Sequence, residues 1–353
     1  IVLAELSKAL IQESQKQLLS KLGINFDRWY QESELHKYGK VEAALDLFRK
    51  SEFTVESESA LWLKTTAIGD ERDRVLVKSD GSMTYLAVDA AYHLDKFQRG
   101  YALMINVWGA DHHGQIPSLK AAVKALGEDP EKLEVILTQI VNLSRDGQLV
   151  RMSKRKGTVV YLEDLMNEVG RDSVRYYLAE SSPQNSINFD LEQAKKTGRE
   201  NPSFYIQYAH ARCCAILRRA LEPVFNSETK LEESPALTQA KWAQWLSEFK
   251  AEAASFSALF DESADLFVYQ KKLIMQLASF PEEIEEALIT RQPGRIARFA
   301  YELANDLQKF YELFRVITDD EECTRARLGL IVASRQVLAN ALGIIGVTAV
   351  ERM

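Results

Sequence analysis

Two regions of different class are expected in this 353-residue chain, an α/β front followed by an all-helical back. Three features predict this. The apolar run Tyr101-Ala-Leu-Met-Ile-Asn-Val-Trp108 reads as a strand buried on both faces of a parallel sheet, and it ends at a glycine turn, Gly109-Ala-Asp-His-His-Gly114. A loop of small and basic residues, Arg151-Met-Ser-Lys-Arg-Lys-Gly157, follows downstream. From about Asn201 the apolar residues keep a helical period, and strand signals are few.

The front elements follow in order. Ala4 to Leu22 spaces its apolar residues as an amphipathic helix, closed by Gly23, and Val41 to Phe48 forms a second short helix. Ala60–Leu63, Arg74–Val77 and Ser82–Leu86 read as strands separated by the turn signals Gly69-Asp70 and Asp80-Gly81. Lys78 and Asp80 read as a turn pair. After Gly114 a helix places Leu119, Ala122, Val123 and Leu126 on one face. Leu133 to Val141 is expected to be a second buried helix, leading to a polar turn, Asn142–Gly147. Thr158–Leu162 is extended, and helices are expected over Glu163–Val169 and Asp172–Leu178, with a break at Pro183.

In the back region Tyr205, Tyr208 and Ala209 share a helix face, as do Phe299, Leu303, Leu307 and Phe310. Trp242, Trp245, Phe249 and Phe256 continue the pattern, and Asn226–Ser234 reads as an exposed loop. Aromatic stripes at this spacing are expected to be bundle core.

Composition narrows the classes. A hydrophobic content of 46% without an evident apolar run of membrane length indicates a globular chain with no membrane partner. The net charge of −7 does not fit a general nucleic-acid binder, so RNA contact would need local basic patches. Cys213, Cys214 and Cys323 lack metal or redox spacing, and the adjacent pair reads as helix packing.

The chemistry sits in the turn and the loop. Ligands of open α/β sheets bind beyond the carboxyl ends of strands, which places a nucleotide at Gly109. Gly109 lets backbone approach it, and Asp111 suits a ribose hydroxyl or an amino group. His112 and His113 have no further ligand at metal spacing, so no metal site is expected; they read as polar lining or as a hydrogen-bonding pair at a helix start. In the loop, Arg151, Lys154, Arg155 and Lys156 can surround a polyphosphate, while Ser153 and Gly157 permit close approach. Tyr85 and Asp89 stand four residues apart, on one face if helical. A phenol beside a carboxylate suits a guanidinium, although Asp89 would equally cap a helix over Ala90–Leu94.

Taken together, Asp73–Asp80, Tyr85–Lys96, Val107–His113, Arg151–Thr158, Asn201-Pro202, Tyr205–Arg212 and the terminal Glu351-Arg-Met353 resemble the C-terminal part of a bacterial-type arginyl-tRNA synthetase, a class I enzyme. The resemblance covers the chain from Gly23 onward. It implies the second half of a Rossmann-type catalytic domain over 1–200, and an all-helical anticodon-binding domain over 201–353. It also implies arginine–tRNA ligation in a cytoplasmic protein, expected as a monomer, with tRNA, L-arginine and ATP as partners and Mg²⁺ accompanying the ATP. Tyr85 and Asp89 would bind the arginine side chain. Lys154, with Ser153 and Arg151, would act on the phosphates, and Met152 would shape the adenine contact beside Gly109, Asp111, His112 and His113. Tyr208 and Arg212 are the candidate tRNA contacts, with Lys195, Lys196, Arg199, Arg218 and Arg219 as further phosphate candidates.

The chain departs from the family in two respects. The class I signature of the His-x-Gly-His type does not occur among His36, His93, His112, His113 and His210, and the appended N-terminal domain is missing, so a fragment is expected, probing the enzyme's second half. The basic loop begins with Arg151 and ends on Arg155 where the family has Lys and Ser, so Lys154 carries more of the inference than Arg151. A tRNA-binding module without ligase activity, another class I synthetase such as a cysteinyl enzyme, and an unrelated nucleotidyltransferase are the alternatives.

Overall fold

The structure, a computed structural model, describes residues 2–150, 159–221 and 264–353. The expectations for Arg151–Gly157, for Asn226–Ser234 and for Trp242, Trp245, Phe249 and Phe256 lie outside these residues. The chain packs as two compact units, residues 25–140 with 183–186, and residues 1–24, 141–182 and 187–353. Helix α1 (Val2–Lys21) belongs to the latter.

The first unit begins with α2 (Glu32–Lys37) and α3 (Lys40–Lys50). An antiparallel sheet follows, β1 (Thr54–Ser57), β2 (Ala60–Leu63) and β3 (Arg74–Val77). The expected strand over Ser82–Leu86 is reduced to a single bridge between Met83 and Val77, because helix α4 (Tyr85–Gln98) starts at once. Thr84 makes the junction: its hydroxyl donates to the Val75 carbonyl at 2.8 Å and its N–H to the Leu76 carbonyl at 2.9 Å. Asp70, read from sequence as a turn residue, is a buried tie. It accepts from Arg74 Nε at 2.9 Å, from the Ser118 hydroxyl at 2.7 Å and from the Glu71 N–H at 2.8 Å. The Arg74 hydrogen bond leads in holding its carboxyl well below the usual range.

Strand β4 (Met104–Gly109) leads through a 3₁₀ turn into helix α5 (Ile116–Ala125), and β5 (Leu133–Thr138) returns parallel to β4. Two expectations fail here. Leu133–Val141 is no helix: the β-branched Val135, Ile136 and Thr138 favour the pleated form, and six residues pair in register from Met104↔Leu133 to Gly109↔Thr138. Nor is β4 buried on both faces: Met104 and Asn106 are buried, whereas Ile105 and Val107 are exposed.

In the second unit β6 (Val141–Arg145) pairs antiparallel with β7 (Gln148–Leu149) and parallel with β8 (Ile187–Asp190). The turn expected over Asn142–Gly147 shrinks to Asp146-Gly147, both at positive φ (51° and 74°), the geometry a tight hairpin requires. Between β7 and β8 lie α6 (Leu162–Val169) and α7 (Arg171–Glu180), and α8 (Leu191–Lys195) follows β8. The helical part comprises α9 (Pro202–Leu221), α10 (Ala264–Ala278), α11 (Phe280–Thr290), α12 (Gly294–Leu313) and α13 (Glu321–Ile345). The stripe Phe299, Leu303, Leu307 and Phe310 is buried in its core with Ile206, Leu217, Ile331 and Leu338. Cys213 and Cys214 are buried there as packing residues. The stretch Cys323–Ile345 is, by length and composition, apolar enough to cross a membrane, a run the sequence reading did not count; half of it is buried in the bundle.

The start of α12 meets α7 with no space for a side chain. A Cβ at Gly294 would stand 2.2 Å from the Glu180 carbonyl oxygen, whereas one at Gly343, near the end of α13, meets nothing within 4 Å. Gly294→Ala should therefore lower unfolding stability by about 1–3 kcal/mol, the range of a core overpacking. Gly343→Ala should raise it by up to about 1 kcal/mol. Urea melts of both variants check this, and equal effects would refute the tight contact.

Candidate functional site

Thr84, bonded to β3, fixes where α4 begins, and so aims its first turn. Tyr85 is the first residue of that helix and is 88% exposed; Asp89 follows one turn later on the same face. The helix start at Tyr85 removes the capping role for Asp89, since Thr84 occupies the N-cap position. Tyr85 and Asp89 line a cavity of about 680 Å³ together with Arg74, Trp108, His112 and Gln115. The indole and imidazole meet edge to face at 6.2 Å. The cavity lining thus combines apolar and aromatic side chains with a carboxylate, a phenol, a guanidinium and one amide.

Asp89 is exposed, yet the protein around it removes part of its hydration, which raises its pKa, with the Glu32 carboxylate adding to the rise. Lys96 and His112 act the other way. Of the residues grouped in the glycine turn, His112 reaches the cavity wall. Asp111 is exposed and lies 3.8 Å from His112 Nε2. A Cβ at Gly109 would stand 2.6 Å from Asp111 Oδ1, the tip of an exposed side chain that can swing away, so this contact alone does not require glycine. His113 is exposed in the same turn. Arg74 and Gln115 were not singled out by the sequence reading. The spacing of Asp70 and Arg74 was a visible signal for a fixed guanidinium, masked by the turn-forming character of Gly69-Asp70.

Beneath the cavity, α4 is joined to β4 by polar groups. The Asn106 amide donates to His93 Nε2 at 2.7 Å, His93 Nδ1 bonds the Asp89 carbonyl at 2.7 Å, and Lys96 Nζ donates to Asn106 Oδ1 at 3.0 Å. Burial pushes the His93 pKa down to about 4.

A second arrangement stands on the helical part. The Arg212 guanidinium lies between two rings, 4.6 Å from the centre of Tyr208 and 4.8 Å from that of Tyr311. It donates to the Tyr208 hydroxyl at 2.6 Å and also bonds Gln308. Phe204 stacks on Tyr208 with centroids 6.5 Å apart. Tyr208 and Tyr311 are each about two-fifths exposed, at 39% and 43%. Tyr311 was not singled out, because nothing local links it to α9. Of the other cations, Lys195 pairs with Glu168 and Glu192, Lys196 with Glu200, Arg199 with Asn305, and Arg218 with the Glu351 carbonyl. The loop residues Arg151, Met152, Ser153 and Lys154 lie outside the described residues.

Comparisons with known proteins point the same way. Residues 3–198 match the family of class I (R) tRNA synthetase catalytic domains, and residues 250–353 match the DALR anticodon binding domain. The chain is 41% identical over 338 residues to an arginine–tRNA ligase of Desulfitobacterium hafniense, covering 96% of this chain and 56% of that protein. It is 43% identical over 335 residues to one of Desulforamulus reducens, covering 95% and 55%. The chain therefore spans little more than half the length of these relatives. The structure described as an arginyl-tRNA synthetase of Campylobacter jejuni superposes with a TM-score of 0.80 at 29% identity, over 100% of this chain and 70% of that one. The Thermus thermophilus arginyl-tRNA synthetase shares the fold, with a TM-score of 0.72 at 22% identity over 96% and 62% of the two chains.

The His93 network makes stability depend on pH. Its folded pKa, about 4, lies below the ordinary value of 6.5, so the folded state takes up the proton later than the unfolded chain. The neutral ring's contribution is complete above pH 6.5 and is lost as pH falls toward 4, by roughly 3 kcal/mol in all. Urea melts at pH 7 and 4.5 should show a smaller acid loss for His93→Gln than for the wild type; parallel losses would remove His93 as the cause.

Proposed function

Because the chain belongs to the class I arginyl-tRNA synthetase family, we propose that it carries out its part of arginine–tRNA ligation, with residues 1–200 as the later part of the catalytic domain and 201–353 as the anticodon-binding domain. The observation that carries this reading is the joint placement of Tyr85 and Asp89 on the lining of one cavity that Trp108 and His112 also border. A guanidinium is planar and permanently charged, and it needs an anionic acceptor of fixed orientation. A helix-borne carboxylate with a phenol one turn before it supplies such an acceptor.

The chemistry then requires placement and charge stabilisation. The arginine carboxylate attacks the α-phosphorus of ATP and pyrophosphate leaves; the terminal ribose hydroxyl of tRNA next attacks the carbonyl carbon of the adenylate and AMP leaves. No protein nucleophile is needed. His112 and the Gly109–Gly114 turn border the cavity where the nucleotide would lie. Lys154 is assigned to the β- and γ-phosphates, with Arg151, Met152 and Ser153 shaping the loop. Among the described residues no three His, Cys, Asp or Glu side chains converge as a metal site. Mg²⁺ is placed on the ATP phosphates because it dehydrates reluctantly and is commonly held through substrate phosphates.

For tRNA, the Tyr208–Arg212–Tyr311 stack is the preferred contact. Two partly exposed rings with a guanidinium between them suit an unstacked base of a single-stranded loop, which is read by stacking and edge hydrogen bonds.

In the intact protein, Asp89→Asn should weaken arginine binding by about 2–5 kcal/mol, because one partner of a charged pair is lost, while ATP affinity stays near wild type. Calorimetry with each ligand checks this; equal losses would remove Asp89 from the guanidinium site. Lys154→Ala should instead slow adenylate formation far more than it weakens arginine binding, and pre-steady-state kinetics showing equal losses would overturn its assignment to the phosphates. Tyr311→Ala should weaken tRNA binding by about 1–3 kcal/mol, the worth of one stacked base, with little change in salt dependence. Filter binding at two salt concentrations checks that, and a loss that vanishes at high salt would point to phosphate contact instead.

A further inference from the structure

Resting on the reading of Asp89 as the guanidinium partner, we propose that His93, Asn106 and Lys96 are positioning residues for that carboxylate. They lock α4 onto β4 and hold an ammonium two turns along the helix from Asp89. On the buried face of β4, Asn106 stands beside Met104, which packs in an apolar cluster with Leu119, Val123 and Leu133 and with Phe97 and Trp108. Polar groups buried in such a place cost stability unless every one is satisfied, and apolar side chains would pack there at least as well. His93 is 3% and Asn106 7% exposed, so three polar residues at this interface call for a reason beyond packing.

The hydrogen bonds run in one direction. An ammonium only donates, so the Asn106 oxygen must face Lys96 and its amide nitrogen must face His93. His93 Nε2 is then the acceptor, which leaves the proton on Nδ1 to be donated to the carbonyl of Asp89 itself. Orientation is thereby passed from β4 to the residue that contacts substrate.

The ammonium has a second effect. Asp89 and Lys96 lie seven residues apart, on one helix face. Asp89 is opposed by its own loss of hydration and by Glu32 of α2, and supported by Lys96 of its own helix and His112 of the neighbouring turn. Lys96 is held in place by Asn106 and by the Tyr92 ring, 4.4 Å away, with Arg99 as its nearest like charge. In the empty site this arrangement keeps Asp89 anionic, so an arriving guanidinium meets a preformed acceptor.

The test needs no substrate in its first arm. Carbon-13 titration of the Asp89 carboxyl should show its midpoint rising in Lys96→Met by about one pH unit, the size expected for loss of one nearby charge, and recovering in Lys96→Arg. Nitrogen-15 spectra of His93 should show the proton on Nδ1. An unchanged Asp89 midpoint, or a proton on Nε2, overturns the proposal. In the second arm, the arginine KM of the intact protein should rise about tenfold in Lys96→Met while kcat changes less than about threefold. A midpoint that shifts without any change in arginine KM would leave the relay standing and refute the substrate reading of Asp89. If Lys96→Met fails to fold, the isosteric Asn106→Asp removes the amide donor. It should raise the His93 midpoint above about 4 and raise the arginine KM; an unchanged midpoint overturns the proposal.

Discussion

Close packing of α4 on alanines is the constraint on which the candidate arginine site depends. Ala87, Ala90 and Ala91 are all buried at 0–1% exposure, and they let α3 and α5 approach the helix on its core side. Larger residues there would cost about 1–3 kcal/mol in overpacking and would turn or lift the helix. The opposite requirement acts on the other face, where Tyr85 and Asp89 must stay open to the cavity. One helix therefore has a tightly apolar side and a polar side, with the hydrogen bonds of His93 fixing its rotation between them. Tyr85 and Asp89 take their direction from residues that never meet a ligand.

The same residues explain what the sequence made legible. Helices with strong 3.6-residue periods were found: the stripe from Phe299 to Phe310 is buried as expected, and α6 and α7 lie where their spacing places them. Of the paired strands β4 and β5, the first was read as a strand and the second was not. Leu133–Thr138 carries apolar residues at Leu133, Val135, Ile136 and Leu137, a run too short for period alone to separate strand from helix. What decides it is pairing with β4, a partner far away in sequence. The hairpin at Asp146-Gly147 was seen as a turn, but its flanking strands were absorbed into that turn because Asn142, Ser144 and Arg145 are polar.

Site residues divide along a similar line. Tyr85 and Asp89 could be paired from spacing because both lie on one helix. The partners that act across elements, Asp70 with Ser118, His93 with Asn106, and Arg212 with Tyr311, could not, since nothing in the sequence links one member to the other. A polar residue inside an apolar run is the one trace such ties leave in a sequence. Asn106 within Met-Ile-Asn-Val-Trp is an instance, and it passed for a neutral strand residue.

Charge raises a separate question for the proposed tRNA partner, since a chain of net charge −7 would have to meet a polyanion. Long-range attraction cannot come from the overall field, so the RNA contact has to be made by short-range terms. Several of the basic side chains near the helical part are already occupied: Lys195 by two carboxylates, Lys196 by Glu200, Lys272 by Asp306 at 2.6 Å. Arg212 is held differently: among the described residues its partners are ring faces, a phenol and an amide, none of which carries a neutralising charge. Two tyrosines that fix the guanidinium without neutralising it also reduce the entropy lost when a base stacks upon them. On this argument the stack, more than any count of lysines and arginines, would reconcile an acidic chain with the proposed RNA partner.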